Sequence, residues 1–563
     1  MKKVISVLLA MLMLFSTCVV GVVAIGDIDK PTNQIIVHSS RSQIPVIRIL
    51  GDGEPLYNEK QEKIVHIRSL TFGSSSDEED DDSDILSSVA NVLLPFLIDG
   101  LLNDEWDAYY ENLQKEISEI FSEIRLDNNG EVTNNTGISE ARKKEMAGYL
   151  ARDAKKENNK GYYAINDYRF WYDWRLDPIY TAGLLNTYIQ EVKKATGCPK
   201  VSIMASCLGT IVTTTYINLY GTDDLHGVGF TGAVSGGAEA LSEAISGKFD
   251  IDGYAISRTL IDSDYIGEFN VDKFITSSID LLSATGVFDY LEEGVKETLY
   301  AKLVEGVTSA LALSTLFTFP IYWAAVSPED YDDALLYVFG PDGSEKRTTY
   351  AGLIEKIETY NREIRSEYDA TIKSIGENGV KFGAVSKYGF QILPICQSYD
   401  VVSDQFVSVK HSSFGATTST IFDTLTDDYI AERVAAGKGD YISPDKKIDA
   451  STCAYPESTW FMKNVSHSEY TTFERKLLYD VITAPGDTVI TCGDTVNDLK
   501  YSRFLVYDYE TDIMTTMTEE NCNTENWEAD KGTEEPQTIF EKILVRLTAF
   551  FNWIASLFNF LKK

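Results

Sequence analysis

The chain has 563 residues, 44% of them hydrophobic and 24% charged, which is enough to bury a large core. Its net charge of −36 argues against a nucleic-acid partner, because a phosphate backbone must be met with Lys and Arg, and against attachment to an anionic membrane by charge alone. Seven cysteines in so long a chain do not make a disulfide scaffold, and none of their spacings is that of a zinc site, so no metal and no cofactor is expected.

Residues 1–24 combine basic Lys2 and Lys3, the apolar run Val4–Phe15 and the small-residue stretch Val22-Val23-Ala24, the pattern of a secretory signal. The chain is therefore expected outside the cell, secreted or associated with a membrane. Six cysteines follow the signal: Cys198, Cys207, Cys396, Cys453, Cys492 and Cys522. An even count permits disulfides there, with Cys492 and Cys522 a candidate pair. Residues 25–484 read as one α/β domain. Gln43–Leu50 (QIPVIRIL) is a buried strand that runs into Gly51-Asp52-Gly53, where glycines let backbone N–H groups turn toward a bound atom. Ser74–Asp84 is an acidic, solvated loop, and 85–160 a helical insertion covering one side of the sheet. Asp127–Gly137 is a loop without the spacing of an EF-hand.

Tyr168–Pro178 (YRFWYDWRLDP) is dense in aromatic residues, and Tyr172 and Trp174 suit either core packing or a wall facing a substrate. An amphipathic helix is expected over Thr181–Thr196. Val201–Tyr220 then organises the chain. An apolar strand run (Val201–Met204) meets the small-residue turn Ala205-Ser206-Cys207-Leu208-Gly209, and an apolar helical segment follows. This is the layout of a nucleophile elbow, with Ala205 and Gly209 small so that strand and helix approach closely and Cys207 the presented side chain. Reading Ser206 as the nucleophile instead would lose that spacing. The glycines of Gly227-Val228-Gly229-Phe230-Thr231-Gly232 lie inside the next strand and are not a dinucleotide fingerprint.

Residues 240–345 are largely helical and apolar, a candidate cap, and Tyr350–Ser374 is a further helix. Gly379–Ile395 supplies a buried strand, beyond which lie Asp400 and Asp404. Thr459–His467 (TWFMKNVSH) is a final short strand whose end presents His467. Residues 485–537 read as a small extension of short strands and turns, Pro485–Thr524, and the acidic linker Glu525–Gln537. Residues 538–563 hold an amphipathic helix that suits a membrane or lipid interface as well as a face of its own domain.

The stretch Tyr172-Asp173-Trp174-Arg175, a helix, then Lys200-Val201 and an elbow with Leu208-Gly209, resembles the lecithin–cholesterol acyltransferase-type lipases, secreted members of the α/β-hydrolase superfamily. The early PVIRILGDG is similar to their strand and oxyanion loop. The family carries Gly-His-Ser-Leu-Gly at the elbow, so here a thiol stands in place of a hydroxyl. The resemblance implies a mostly parallel central sheet with helical insertions and a helical cap, and a nucleophile, Asp, His order. Its expectation of Asp, then Val, then Ser before a helix favours Asp404, with Val407 and Ser412, over the rival Asp400. Its histidine after the last strand matches Val465-Ser466-His467.

Together these residues point to a Cys207–His467–Asp404 triad. His467 would take and return protons, Asp404 would fix its tautomer, and the N–H of Leu208 with one from Gly51, Asp52 or Gly53 would hold an oxyanion. The expected partner is an acyl ester or lipid, hydrolysed or transferred through a thioester. The rival expectation is a hydrolase-like surface binding or adhesion protein without catalysis, motivated by Ala205 and Cys207.

Overall fold

The computed structural model describes residues 44–51, 55–64, 105–151, 168–249, 306, 309–392, 396–496, 498–508, 511 and 513–522. The expected signal, the acidic loop, residues 250–305 of the expected cap and the amphipathic tail lie outside them.

An eight-stranded sheet runs through the centre. Its strands are β1 (Val46–Ile49), β2 (Tyr168–Arg169), β3 (Val201–Cys207), β4 (Leu225–Ala233), β5 (Lys381–Tyr388), β6 (Thr459–Lys463), β7 (Phe504–Asp508) and β8 (Ile513–Thr516). The order is β2-β1-β3-β4-β5-β6-β7-β8, and every neighbouring pair is parallel except β7–β8. The fold class is thus α/β. The central strands are apolar almost without interruption because helices cover both faces.

The principal helices of the described residues are α1 (Trp106–Ile120), α2 (Pro178–Thr196), α3 (Leu208–Tyr220), α4 (Glu239–Ser246), α5 (Tyr331–Phe339), α6 (Ala351–Glu363), α7 (Tyr368–Glu377) and α8 (Thr472–Ile482). Helix α2 begins three residues before the expected Thr181. The Asp177 side chain accepts the Ile179 N–H there, Pro178 suits the first turn, and Gly197 ends the helix at φ 71°. Helix α8 lies against the face of β4 from which side chains are missing. A Cβ on Gly227 would fall 2.4 Å from the Ile482 carbonyl oxygen, and Ser202 Oγ donates to that oxygen at 2.6 Å. The opposite face carries Val228 and Phe230, buried in the main core.

Several expectations change. The segment Tyr350–Ser374 is two helices, because the chain breaks at Ile364 and turns Arg365 inward to donate to the Trp323 and Ala324 carbonyls. Within the described part of the expected cap, Phe317, Phe319, Trp323 and most of the apolar residues of α4 are buried in the main cluster. Strand β6 is not the last. The buried run Phe504–Asp508 pairs with its free edge, so residues expected as a separate extension complete the sheet. The six cysteines are free thiols. Cys492 donates to the Thr459 carbonyl at 3.3 Å and neighbours Cys453, whereas Cys522 lies beside Asp445 and Lys463, so the Cys492–Cys522 pairing does not form.

Candidate active site

Strand β3 ends at Cys207 and α3 begins at Leu208, with no loop between them. Cys207 takes φ 49° and ψ −129°, a region that costs a non-glycine residue about 1–3 kcal/mol and persists only where neighbours over-determine it. Those neighbours are evident. Thr210 Oγ1 donates to the Cys207 carbonyl at 2.6 Å and accepts the Val234 N–H at 3.1 Å, clipping the elbow to the end of β4. Gly209 lets α3 cross β1, since a Cβ there would stand 2.3 Å from the Ile49 carbonyl oxygen. Gly51 leaves room for the thiol, because its Cβ would lie 2.8 Å from Cys207 Cβ and 3.1 Å from Sγ.

Asp404 and His467 arrive on turns after β5 and β6. Asp404 is wholly buried, and its Oδ1 accepts the N–H groups of Phe406 at 3.1 Å and Val407 at 2.9 Å. Its Oδ2 faces His467 Nδ1 at 2.8 Å, and the His467 N–H donates to the Asp404 carbonyl at 2.8 Å. The Phe406 ring covers the imidazole, with centroids 4.9 Å apart. With Nδ1 committed to Asp404, Nε2 has no partner of hydrogen-bond geometry among the described residues, and Cys207 is close enough to influence the ring's charge. Burial opposes the imidazolium, but the charges of Asp404 and then Cys207 outweigh it and hold His467 at about 10 rather than the usual 6.5. A sulfur paired with such an imidazolium is a nucleophile, and the imidazolium is a proton donor to a leaving group.

The other expected residues fall as follows. Leu208 opens α3, so its N–H is one of the helix's unpaired first-turn donors. Gly51 stands beside it, with the Leu208 nitrogen 3.5 Å from where a Gly51 Cβ would be. Asp52 and Gly53 lie outside the described residues. Asp400 meets Ile421 through its backbone carbonyl, and it is Asp404 that reaches His467. Tyr172 is buried and its hydroxyl donates to the Leu50 carbonyl at 2.8 Å, steadying the backbone just before Gly51. Trp174 is not a wall. It is wholly buried, stacked on Tyr322 and edge-on to Phe319. Arg175 is likewise structural, paired with Asp173 and donating to the carbonyls of Ile124 and Thr136.

Gly232 was missed as a site residue. At φ 51° its Cβ would stand 3.1 Å from His467 Cε1 and 3.3 Å from Nδ1, so the imidazole sits where a side chain would be. A glycine at the end of an apolar strand was the available signal. Among the described residues no cluster of His, Cys, Asp and Glu has the form of a metal site. No model of a known protein family matches the chain, and no curated protein matches it.

Proposed function

We propose that this protein is a cysteine-dependent acyl hydrolase or acyltransferase built on an α/β-hydrolase-like fold, acting on an acyl ester of lipid type. The observation that carries the reading is the convergence on Cys207, in its strained strand-to-helix turn, of a His467 ring held 2.8 Å from a buried Asp404. In the first step the Cys207 sulfur attacks the acyl carbonyl carbon and a C–S bond forms. The carbonyl oxygen takes the negative charge, facing the Leu208 N–H. His467 gives its Nε2 proton to the departing alkoxide, the C–O bond breaks and an alcohol leaves. In the second step neutral His467 accepts a proton from water or an acceptor alcohol, whose oxygen attacks the thioester. The thiolate departs and the imidazolium is restored. The apolar, amphipathic sequence of 538–563 and the secretory pattern of 1–24 favour a lipid interface outside the cell.

The test is turnover of p-nitrophenyl esters of increasing chain length by wild type and Cys207→Ala, with intact-mass detection of a hydroxylamine-labile acyl adduct. Activity and adduct lost in the variant support the proposal. A folded wild type with neither sinks it, and leaves a binding protein on the same scaffold.

A further inference from the structure

Lys387 takes no part in the steps above, yet it is a fully buried cation at the carboxyl end of β5, beneath the turn that carries His467. Its Nζ donates to the carbonyls of His467 at 3.1 Å, Ser466 at 3.4 Å and Glu469. It lies 3.8 Å from Oε1 of the equally buried Glu474 and 4.3 Å from the centroid of the Tyr470 ring. Glu474 accepts the hydroxyl of Thr231, the residue before Gly232, and closes the capping box of α8 with Thr471. The Tyr470 side chain in turn lies close to Ser206, the residue before Cys207, without a hydrogen bond to it.

The Ser466 carbonyl also accepts the Glu469 N–H at 3.2 Å, but a carbonyl that points inward from a tight turn has no strand to pair with, and leaving one unpaired costs about 1–3 kcal/mol. An ammonium has three donors on a single atom and can gather all three. A buried ion pair is a poor route to stability for its own sake, since apolar residues of similar volume often serve a core as well. What this pair adds is geometry. The ammonium fixes the underside of the His467 turn, and its counter-ion ties that turn to β4 and α8.

We propose that Lys387 is a positioning residue, setting the His467 turn so that the imidazole held by Asp404 addresses Cys207. The proposal rests on the thiol chemistry above. Its test uses the full chain with Lys387→Met/Glu474→Gln, which removes both buried charges together, and Lys387→Arg, which keeps a donor. Folding is followed by near-UV circular dichroism. Two readouts are taken: kcat and KM on a p-nitrophenyl ester, and the pH profile of Cys207 alkylation by iodoacetamide, with Cys207→Ala as the blank. A folded double variant is expected to lose about 100-fold in kcat, as for a catalytic group misplaced by an ångström, with KM little changed. Its alkylation profile shifts, and Lys387→Arg recovers part of the loss. A folded double variant with the wild-type kcat and alkylation profile overturns the proposal alone. Failure of both variants to fold also overturns it, because Lys387 is then a folding residue. A wild type whose Cys207 is inert overturns the thiol chemistry and the proposal with it.

Discussion

Replacing Asp404 with Asn isolates the electrostatic part of the site. The carboxylate is wholly buried with both oxygens engaged, Oδ1 by the Phe406 and Val407 N–H groups and Oδ2 by His467 Nδ1 at 2.8 Å. An asparagine keeps its carbonyl oxygen on the two N–H groups, since turning the amide over would set N–H against N–H. Its NH2 then faces Nδ1, which must become an acceptor, and the ring proton moves to Nε2. A neutral ring in that tautomer cannot take a proton from Cys207. The charge balance changes as well. The gap between 6.5 and about 10 corresponds to about 5 kcal/mol in favour of the imidazolium, with Asp404 the leading contributor against burial. The expected loss in kcat is about 10⁴-fold, the scale seen when a triad acid is made an amide. The pH profile carries the sign. Wild-type activity should persist well above pH 6.5 and fall only as His467 loses its proton toward pH 10, whereas the alkaline limb of Asp404→Asn should move to lower pH. Ester turnover from pH 5 to 11 measures both quantities. A folded Asp404→Asn chain with near wild-type kcat and an unmoved alkaline limb would refute the reasoning.

Gly232→Ala sets a methyl group 3.1 Å from His467 Cε1 at φ 51°, so unfolding in urea should show about 1–2 kcal/mol of lost stability, and kcat should fall about 100-fold. Cys207→Gly frees a backbone at φ 49°. Measured against Cys207→Ala, which shares the loss of the buried thiol, relief of about 1–3 kcal/mol of strain set against a glycine entropy cost of about 0.5–1 kcal/mol should give the Gly variant the higher Tm of the two, with turnover absent from both; a lower Tm than the Ala variant would count against stored strain. Burial lifts the Glu243 carboxyl to about 7. An acid raised in the folded state binds its proton more tightly there, so stability falls as pH rises from about 4.5 to 7. Glu243→Gln should therefore gain up to about 3 kcal/mol over wild type at pH 8 and nothing below pH 4.5, read from denaturation at the two pH values; equal gains at both would contradict the assignment.

The elbow was legible because its cause is local. A strand, a small-residue turn and a helix within nine residues mark the elbow, while its strained geometry is held by neighbours from β1 and the end of β4. Asp404, with Asp400 as its rival, and His467 were placed by the family resemblance and the order it implies, and the structure joins Asp404 to His467 and sets that ring beside Cys207. What could not be read depends on partners remote in sequence. The break at Ile364 requires the Ala324 carbonyl, and Trp174 is core because Phe319 and Tyr322 close over it. Residues 485–524 read as short strands and turns, but that two of those strands extend the central sheet could not be read, because only the open edge of β6 gives them a partner. Lys387 is one of two lysines in an apolar strand run, and only the turn above it gives that cation three acceptors.

Three of the eight non-glycine residues with positive φ among the described residues lie on the strand ends and turns that carry the candidate site. Cys207 ends β3 at φ 49°, Gln405 follows the triad acid at φ 86°, and Asn464 follows β6 at φ 62°, three residues before His467. A core built only for stability has no reason to collect such conformations on neighbouring strand ends. Hydrogen bonds hold each of them: Thr210 on the Cys207 carbonyl, Ser403 Oγ accepting the Gln405 N–H at 3.2 Å, and the Tyr388 carbonyl accepting the Asn464 N–H at 2.7 Å. A scaffold retired to a binding role would be free to relax them. Their occurrence together, around a dyad whose remaining ring nitrogen has no other partner among the described residues, is the backbone support for the proposed thiol site.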